Sequence, residues 1–150
     1  MPGAAEVREA VGYLAPRLSE PPRAAIILGS GLSAVTQNVE HAQSFPAAGI
    51  PHWPASSAVG HPGRIVFGRL AGTPVMVVAG RVHLYEGYTA AEVMFGVRVA
   101  ARLGAQVLLA TNAAGAINQD YSPGDLVLIS DHITLPVQMP LTWPQDPFCC

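Results

Sequence analysis

The run Ala24-Ala25-Ile26-Ile27-Leu28-Gly29-Ser30-Gly31-Leu32-Ser33-Ala34 decides how the rest of the chain is read. Five apolar residues without a polar interruption describe a short strand. Two glycines around a serine break it, and a helix-compatible pattern then resumes to about Val39. Strand, tight turn and helix are the repeating unit of a layered α/β fold. Backbone N–H groups of such a turn and the Ser30 hydroxyl converge on an anion of phosphate size at the helix N-terminus. The same residues satisfy the relaxed dinucleotide fingerprint G-x-G-x-x-A, which makes a nucleotide-binding domain the competing reading. That reading asks for a second strand ending in an acid about 20 residues on. Pro46-Ala47-Ala48-Gly49-Ile50-Pro51 stands there, with neither strand nor acid. A glycine turn that serves packing alone is the third alternative.

Working outward, Val7, Val11, Leu14 and Leu18 form one apolar helix face, with a kink expected at Pro16 and a stop at Pro21 and Pro22. Residues 41–62 carry no periodicity and read as a long loop. Arg64 to Arg69 and Val75 to Ala79, joined by Leu70-Ala71-Gly72-Thr73-Pro74, read as a β-hairpin. Thr89-Ala90-Ala91-Glu92 is a capping box opening a helix that Gly104 ends. Val107 to Ala110 and Leu126 to Ile129 read as two further strands flanking the loop Thr111 to Gly124. The fold class that results is α/β, a mixed β-sheet flanked by helices. Pro136, Pro140, Pro144 and Pro147 are too closely spaced for regular structure. The expected organisation is one domain portion over residues 1–136 and a divergent Pro-rich tail over 137–150, the chain ending before the fold is finished.

Half of the 150 residues are apolar and only 12% charged, which excludes a disordered chain or a coiled coil. The eight basic residues are all arginines scattered from Arg8 to Arg102, and the net charge is −2, so no nucleic-acid footprint and no attraction to an anionic membrane is expected. Apolar runs stay well short of the ~20 residues of a spanning helix. The start of the chain has neither the basic residues nor the apolar core of a secretory signal, so the expected location is cytoplasmic. Cys149 and Cys150 are adjacent and cannot close a loop. His41, His52, His61, His83 and His132 show no H-x-x-x-H or H-x-E spacing, so no metal catalysis is expected.

Chemistry concentrates in Arg81-Val82-His83-Leu84-Tyr85-Glu86-Gly87. If the extended conformation persists, Arg81, His83 and Tyr85 point to one face. Arg holds a phosphate by two parallel N–H bonds, His donates a third, and Tyr offers a hydroxyl above an apolar ring. Glu86, one residue on, is placed to orient His83 or Arg81. Thr111-Asn112-Ala113-Ala114-Gly115 follows another strand, where small residues admit a ligand close to the backbone and Ala113 offers an N–H. An ordinary strand-end turn capped by Asn112 is the alternative there. His61-Pro62-Gly63-Arg64 closes the long loop, where it swings over a site or merely turns the chain.

Taken in order, the G-S-G-L turn, the H-x-G-R segment, the R-x-H-x-Y-E-G segment and the T-N-A-A-G loop resemble the trimeric purine nucleoside phosphorylases over roughly residues 5–136. The resemblance implies phosphorolysis of a purine nucleoside to free base and pentose 1-phosphate, with orthophosphate as co-substrate, no cofactor, and a homotrimer. It implies that Ser30, Arg81, His83 and the Ala113 N–H hold the phosphate, that His61 closes over it, and that Tyr85 lies along the ribose. His83 and Glu86 become the catalytic candidates, and Asn112 joins the substrate-binding ones. The family's base-recognising Glu and Asn, a second phosphate Ser and a ribose-facing His are not among these 150 residues, so binding without turnover is expected of them alone. Asp131-His132-Ile133 fits the family, whereas Thr134 stands where an Asn is usual. The alternatives are a methylthioadenosine-type phosphorylase, whose phosphate turn usually differs, and a non-catalytic phosphate-binding remnant.

Overall fold

Alternation along three neighbouring strands divides the apolar residues between two faces of one sheet. Ala25 and Ile27, Met76 and Val78, Ile65 and Phe67 enter one core, while Ile26 and Leu28, Val75 and Val77, and Val66 enter the other. The computed structural model describes residues 3–55 and 63–133. Within them β1 (Ala24–Leu28), β2 (Glu40–Pro46), β3 (Arg64–Leu70), β4 (Thr73–Ala79) and β5 (Val107–Ala110) form a five-stranded sheet of order β2-β3-β4-β1-β5. β1 runs parallel to both β4 and β5, and β2, β3 and β4 run antiparallel, so the sheet is mixed as expected.

The α-helices lie on one face. α1 (Ala4–Leu14) contributes Val7, Ala10 and Leu14, and α3 (Phe95–Leu103) contributes Phe95, Val99, Ala100 and Leu103. Burying a side chain of this size contributes about 1.5–3 kcal/mol, so this face carries the larger share of the core's stability. Phe95 is fully buried and meets Trp53 edge-on, with ring centroids 5.8 Å apart. Among the described residues the opposite face is covered by Leu32, Val35 and Val39, on and around a 3-10 segment at Ser33–Asn38. The helix expected after the glycine turn is therefore a short 3-10 stretch at Ser33–Asn38, with little helix dipole at its N-terminus.

Five further expectations change. Residues 41–62 contain β2 and a 3-10 turn at Ala47–Gly49. β2 escaped the pattern because it is an edge strand, mostly exposed, bulged between Glu40 and Gln43, with His41 at φ 53°. Its order comes from pairing with β3 and from Gln43, whose side chain donates to the Arg17 carbonyl and accepts from the Ser19 N–H. Leu126–Ile129 forms no strand: its apolar side chains are between 56% and 95% exposed, and no described segment lies beside it to complete a ladder. Pro16 does not kink a continuing helix, since α1 ends at Leu14 and Ala15–Arg17 is a 3-10 turn. The helix after Thr89 is interrupted at Met94, between α2 (Ala90–Val93) and α3, beside the place where Trp53 packs on Gly96. The hairpin is tighter than expected, a two-residue turn at Ala71-Gly72 with φ 48° and 75°, and its strands reach Leu70 and Thr73. Two left-handed residues give the twist that a two-residue hairpin needs.

The capping box forms as expected. Thr89 Oγ1 accepts from the Glu92 N–H at 3.3 Å, and the Glu92 carboxylate accepts from the Thr89 N–H and hydroxyl, each at 2.7 Å. These bonds to Thr89 hold the Glu92 carboxyl below its ordinary range. A depressed carboxyl pKa contributes stability that is present above the unfolded value and lost as pH falls through the folded one. Thr89→Ala is expected to cost about 1 kcal/mol in urea denaturation at pH 7. The gap between variant and parent narrows at pH 3; an equal gap at both pH values means that the Glu92 carboxylate takes no part in the cap.

Candidate functional site

Register brings three chain exits to one edge of the sheet. Leu28 of β1 lies opposite Ala79 of β4, and Ile27 lies opposite Ala110 of β5. The segments that follow, Gly29–Gly31, Gly80–Glu86 and Thr111–Ala113, leave side by side from the carboxyl ends of adjacent parallel strands. Open α/β sheets bind their ligands in the crevice beyond such ends. The dinucleotide alternative fails here, because the strand following the glycine turn, β2, sits at the far antiparallel edge and not beside β1.

Thr111 joins two of the three exits. Its hydroxyl accepts from the Gly29 N–H at 2.8 Å and donates to the Ile27 carbonyl at 3.1 Å, to which the Thr111 N–H also donates at 3.0 Å. The backbones cross closely enough that a Cβ at Gly29 would lie 2.6 Å from the Thr111 carbonyl oxygen and 2.8 Å from Asn112 Cα. Only glycine fits that crossing, which explains the first glycine of the turn in terms of packing between strand ends. Ser30, Asn112 and Ala113 are exposed along the resulting edge, and the Asn112 side chain donates to the Ala113 carbonyl in a long contact of 3.4 Å.

The third exit organises itself. Extended backbone persists only to His83, and Leu84–Glu86 then forms a 3-10 turn, so one-face alternation does not carry through to Tyr85. The turn brings the side chains together by another route. The Glu86 carboxylate, 9% exposed, accepts from the His83 N–H at 2.8 Å and lies 3.0 Å from His83 Nδ1. Arg81 Nε donates towards His83 Nε2 at 3.4 Å, and the Tyr85 ring stacks on the imidazole with centroids 4.7 Å apart. Glu86 thus orients His83, holding both its N–H and its ring. With Nε2 facing an obligate donor and Nδ1 facing a carboxylate, the neutral ring carries its proton on Nδ1. Tyr85 is 83% exposed and Leu84 42%, so the turn presents an aromatic face to whatever occupies the crevice.

His61 lies outside the described residues. The backbone that follows it enters the sheet at Gly63, which touches Gly80: a Cβ at Gly80 would stand 3.3 Å from Gly63 Cα. Sequence reasoning singles out neither Tyr88, whose hydroxyl donates to the Ala55 carbonyl, nor Thr111 beyond its place in the motif. A hydroxyl residue directly after a β-strand and before a small-residue loop is the signal that points to Thr111. Among the described residues no helix is long and apolar enough to cross a membrane, and no group of three or more His, Cys, Asp or Glu side chains is placed to hold a metal ion.

A family model described as the phosphorylase superfamily matches residues 23–149, which takes in all three exits. The chain belongs to that superfamily. Purine nucleoside phosphorylase 1 of Geobacillus stearothermophilus is 42% identical over 140 residues, covering 93% of this chain and 51% of the relative. Purine nucleoside phosphorylase of Mus musculus is 46% identical over 128 residues, covering 83% and 44%. Among solved structures, a purine nucleoside phosphorylase in complex with ribose 1-phosphate superposes with a TM-score of 0.75 at 36% identity, over 81% of this chain and 44% of that one. The Schistosoma mansoni enzyme in complex with inosine gives 0.74 at 36% identity, over 82% and 43%. The resemblance carried by the four motifs and the mixed-sheet fold class both hold. The chain spans about half the length of the curated relatives it matches.

The His83–Glu86 contact makes a direct prediction. Long-range nitrogen–proton NMR at about pH 8.5, where a typical imidazole is neutral, is expected to find His83 as the Nδ1–H tautomer, and Glu86→Ala to shift it towards Nε2–H. An Nε2–H ring in the parent protein contradicts the arrangement.

Proposed function

We propose that this chain supplies the phosphate-and-pentose half of an active site for purine nucleoside phosphorolysis. The observation that carries the reading is the convergence of Gly29–Gly31, Arg81–Glu86 and Thr111–Ala113 on one edge of three parallel strands, in a chain 42–46% identical to purine nucleoside phosphorylases over that region. The relatives' names support the purine nucleoside reading over the methylthioadenosine type. In this reaction a phosphate oxygen attacks the anomeric carbon as the glycosidic C–N bond breaks. The bonding pair leaves with the base, which takes up a proton, and the products are free purine and pentose 1-phosphate.

The roles follow from the side-chain chemistry. Arg81 presents a planar, permanently charged fork that grips the phosphate dianion and turns it towards the sugar. Ser30 and the Ala113 N–H add neutral donors from the neighbouring strand ends, and Asn112 lies beside them. His83, held by Glu86 through Nδ1, donates to the same anion only when both ring nitrogens carry protons, since the neutral Nδ1–H ring offers Nε2 as an acceptor, and His61 belongs to the proposal as a further phosphate contact. Tyr85 lies along the pentose, its ring covering the apolar face and its hydroxyl bonding a sugar oxygen. Holding the nucleophile under the anomeric carbon, with its negative charge next to a developing oxocarbenium, supplies much of the acceleration. The domain portion proposed for this role is residues 1–136, with 137–150 as a divergent tail. The assembly and location proposed with it, from the resemblance, are a homotrimer in the cytoplasm.

Titration of the chain with orthophosphate and with ribose 1-phosphate tests the reading, followed by 31P NMR or calorimetry. Both ligands are expected to bind, while inosine with phosphate gives no burst of hypoxanthine from these 150 residues alone. Arg81→Lys keeps the charge but loses the fork, and hydrogen bonds to charged groups are worth about 1.5–3 kcal/mol, so the phosphate dissociation constant is expected to rise roughly ten- to hundred-fold. Tyr85→Phe leaves phosphate affinity unchanged and weakens ribose 1-phosphate. Equal phosphate affinity in the parent and Arg81→Lys would place the anion elsewhere.

A further inference from the structure

We infer that Thr111 is a positioning residue for the anion: its hydroxyl locks the glycine turn to the small-residue loop, and so sets where Ser30 stands relative to Ala113. The inference rests on the phosphate reading of the crevice and adds to it a residue that touches no ligand.

The geometry is specific. Thr111 lies half-buried where β5 ends, one residue past the last ladder pair, Ile27 with Ala110. Its main-chain N–H and its hydroxyl both donate to the Ile27 carbonyl, at 3.0 and 3.1 Å. The same hydroxyl accepts from the Gly29 N–H at 2.8 Å. A hydroxyl is the only small group that donates and accepts through one atom, and here one atom closes both contacts. Gly29 is thereby held against the Thr111 carbonyl and Asn112 Cα, in a crossing that a methyl group would already obstruct.

Two proposed anion donors sit one and two residues beyond this clamp. Ser30 follows Gly29, and Ala113 follows Asn112. Both are exposed, and both lie on segments outside the sheet ladder, so the ladder alone does not fix the distance between them. The Thr111 clamp does, because it is the described side-chain link from the β5 exit to the β1 exit. An anion bound between two donors is sensitive to their separation, and misplacement by about 1 Å is costly.

Three variants test the role by phosphate titration of the folded protein, with the folded fraction measured by circular dichroism at the same temperature. Thr111→Ser keeps the hydroxyl and is expected to bind phosphate within about two-fold of the parent. Thr111→Val keeps the shape but loses the hydroxyl, and its phosphate dissociation constant is expected to rise about ten-fold. Thr111→Ala, whose smaller side chain leaves room for a water at the Gly29 N–H, is expected to weaken binding similarly and replaces the valine variant should that one not fold. Amide hydrogen exchange at Gly29 is expected to be slow in the parent and the serine variant and fast in the others. Hydroxyl-free variants with parental phosphate affinity overturn the positioning role, including where Gly29 exchange has quickened, because the clamp is then only structural. A parent protein that binds no phosphate removes the anion site and the role together, which is distinguishable from variants that match a binding-competent parent.

Discussion

Parallel pairing of β1 with β4 on one side and β5 on the other is the constraint on which the rest of the arrangement depends. Ala24–Leu28 finds backbone partners along both edges, so its exit point is fixed relative to two other exits. Three loops that are remote in sequence, beginning near residues 29, 80 and 111, thereby share one edge. The apolar alternation on each strand serves this pairing, because a slip of one residue would exchange the face under α1 and α3 for the opposite one. Thr111 and Gly29 then convert strand pairing into loop placement: one hydroxyl bridges the ladder's last carbonyl and the turn's first N–H.

A division of labour follows among the exits. Gly29–Gly31 and Thr111–Ala113 are built from small residues and contribute backbone approach. Arg81–Glu86 contributes side chains, and its order is local, made by a 3-10 turn in which Glu86 holds both the His83 N–H and the ring. Charge and aromatic surface are thus concentrated on one loop, while the other two shape the space against it. In the proposed reaction this separation sets the charged loop against the anion and leaves the small-residue exits to approach it through the backbone.

Much of this was legible in the sequence where a residue's role is local. The β1 strand, the β3–β4 hairpin and the Thr89 capping box all follow from spacing and residue type. What failed depended on partners distant in the chain or on local turn geometry that residue type does not reveal. β2 carries polar, exposed residues and is a strand because β3 offers an edge and Gln43 ties it to Arg17 and Ser19. Leu126–Ile129 has a strand's composition but no described neighbour, so composition alone does not make it one. Ser33–Asn38 carries a helical pattern that the short span between the glycine turn and β2 compresses into 3-10 geometry. The meeting of His83 with Tyr85 was expected for the wrong reason, extended alternation, and arises from a turn. The two partners of Thr111 lie 82 and 84 residues away, so its position after a strand hints at a role but does not reveal the bridge.

Amide chemical-shift mapping with ribose 1-phosphate tests the central claim most directly, since it reads all three exits in one titration. Saturable shifts are expected at residues 29–31, 80–86 and 111–115, moving with a common dissociation constant. Shifts confined to one exit, or centred on the β2 edge instead, would contradict a single anion site assembled by the parallel strand ends.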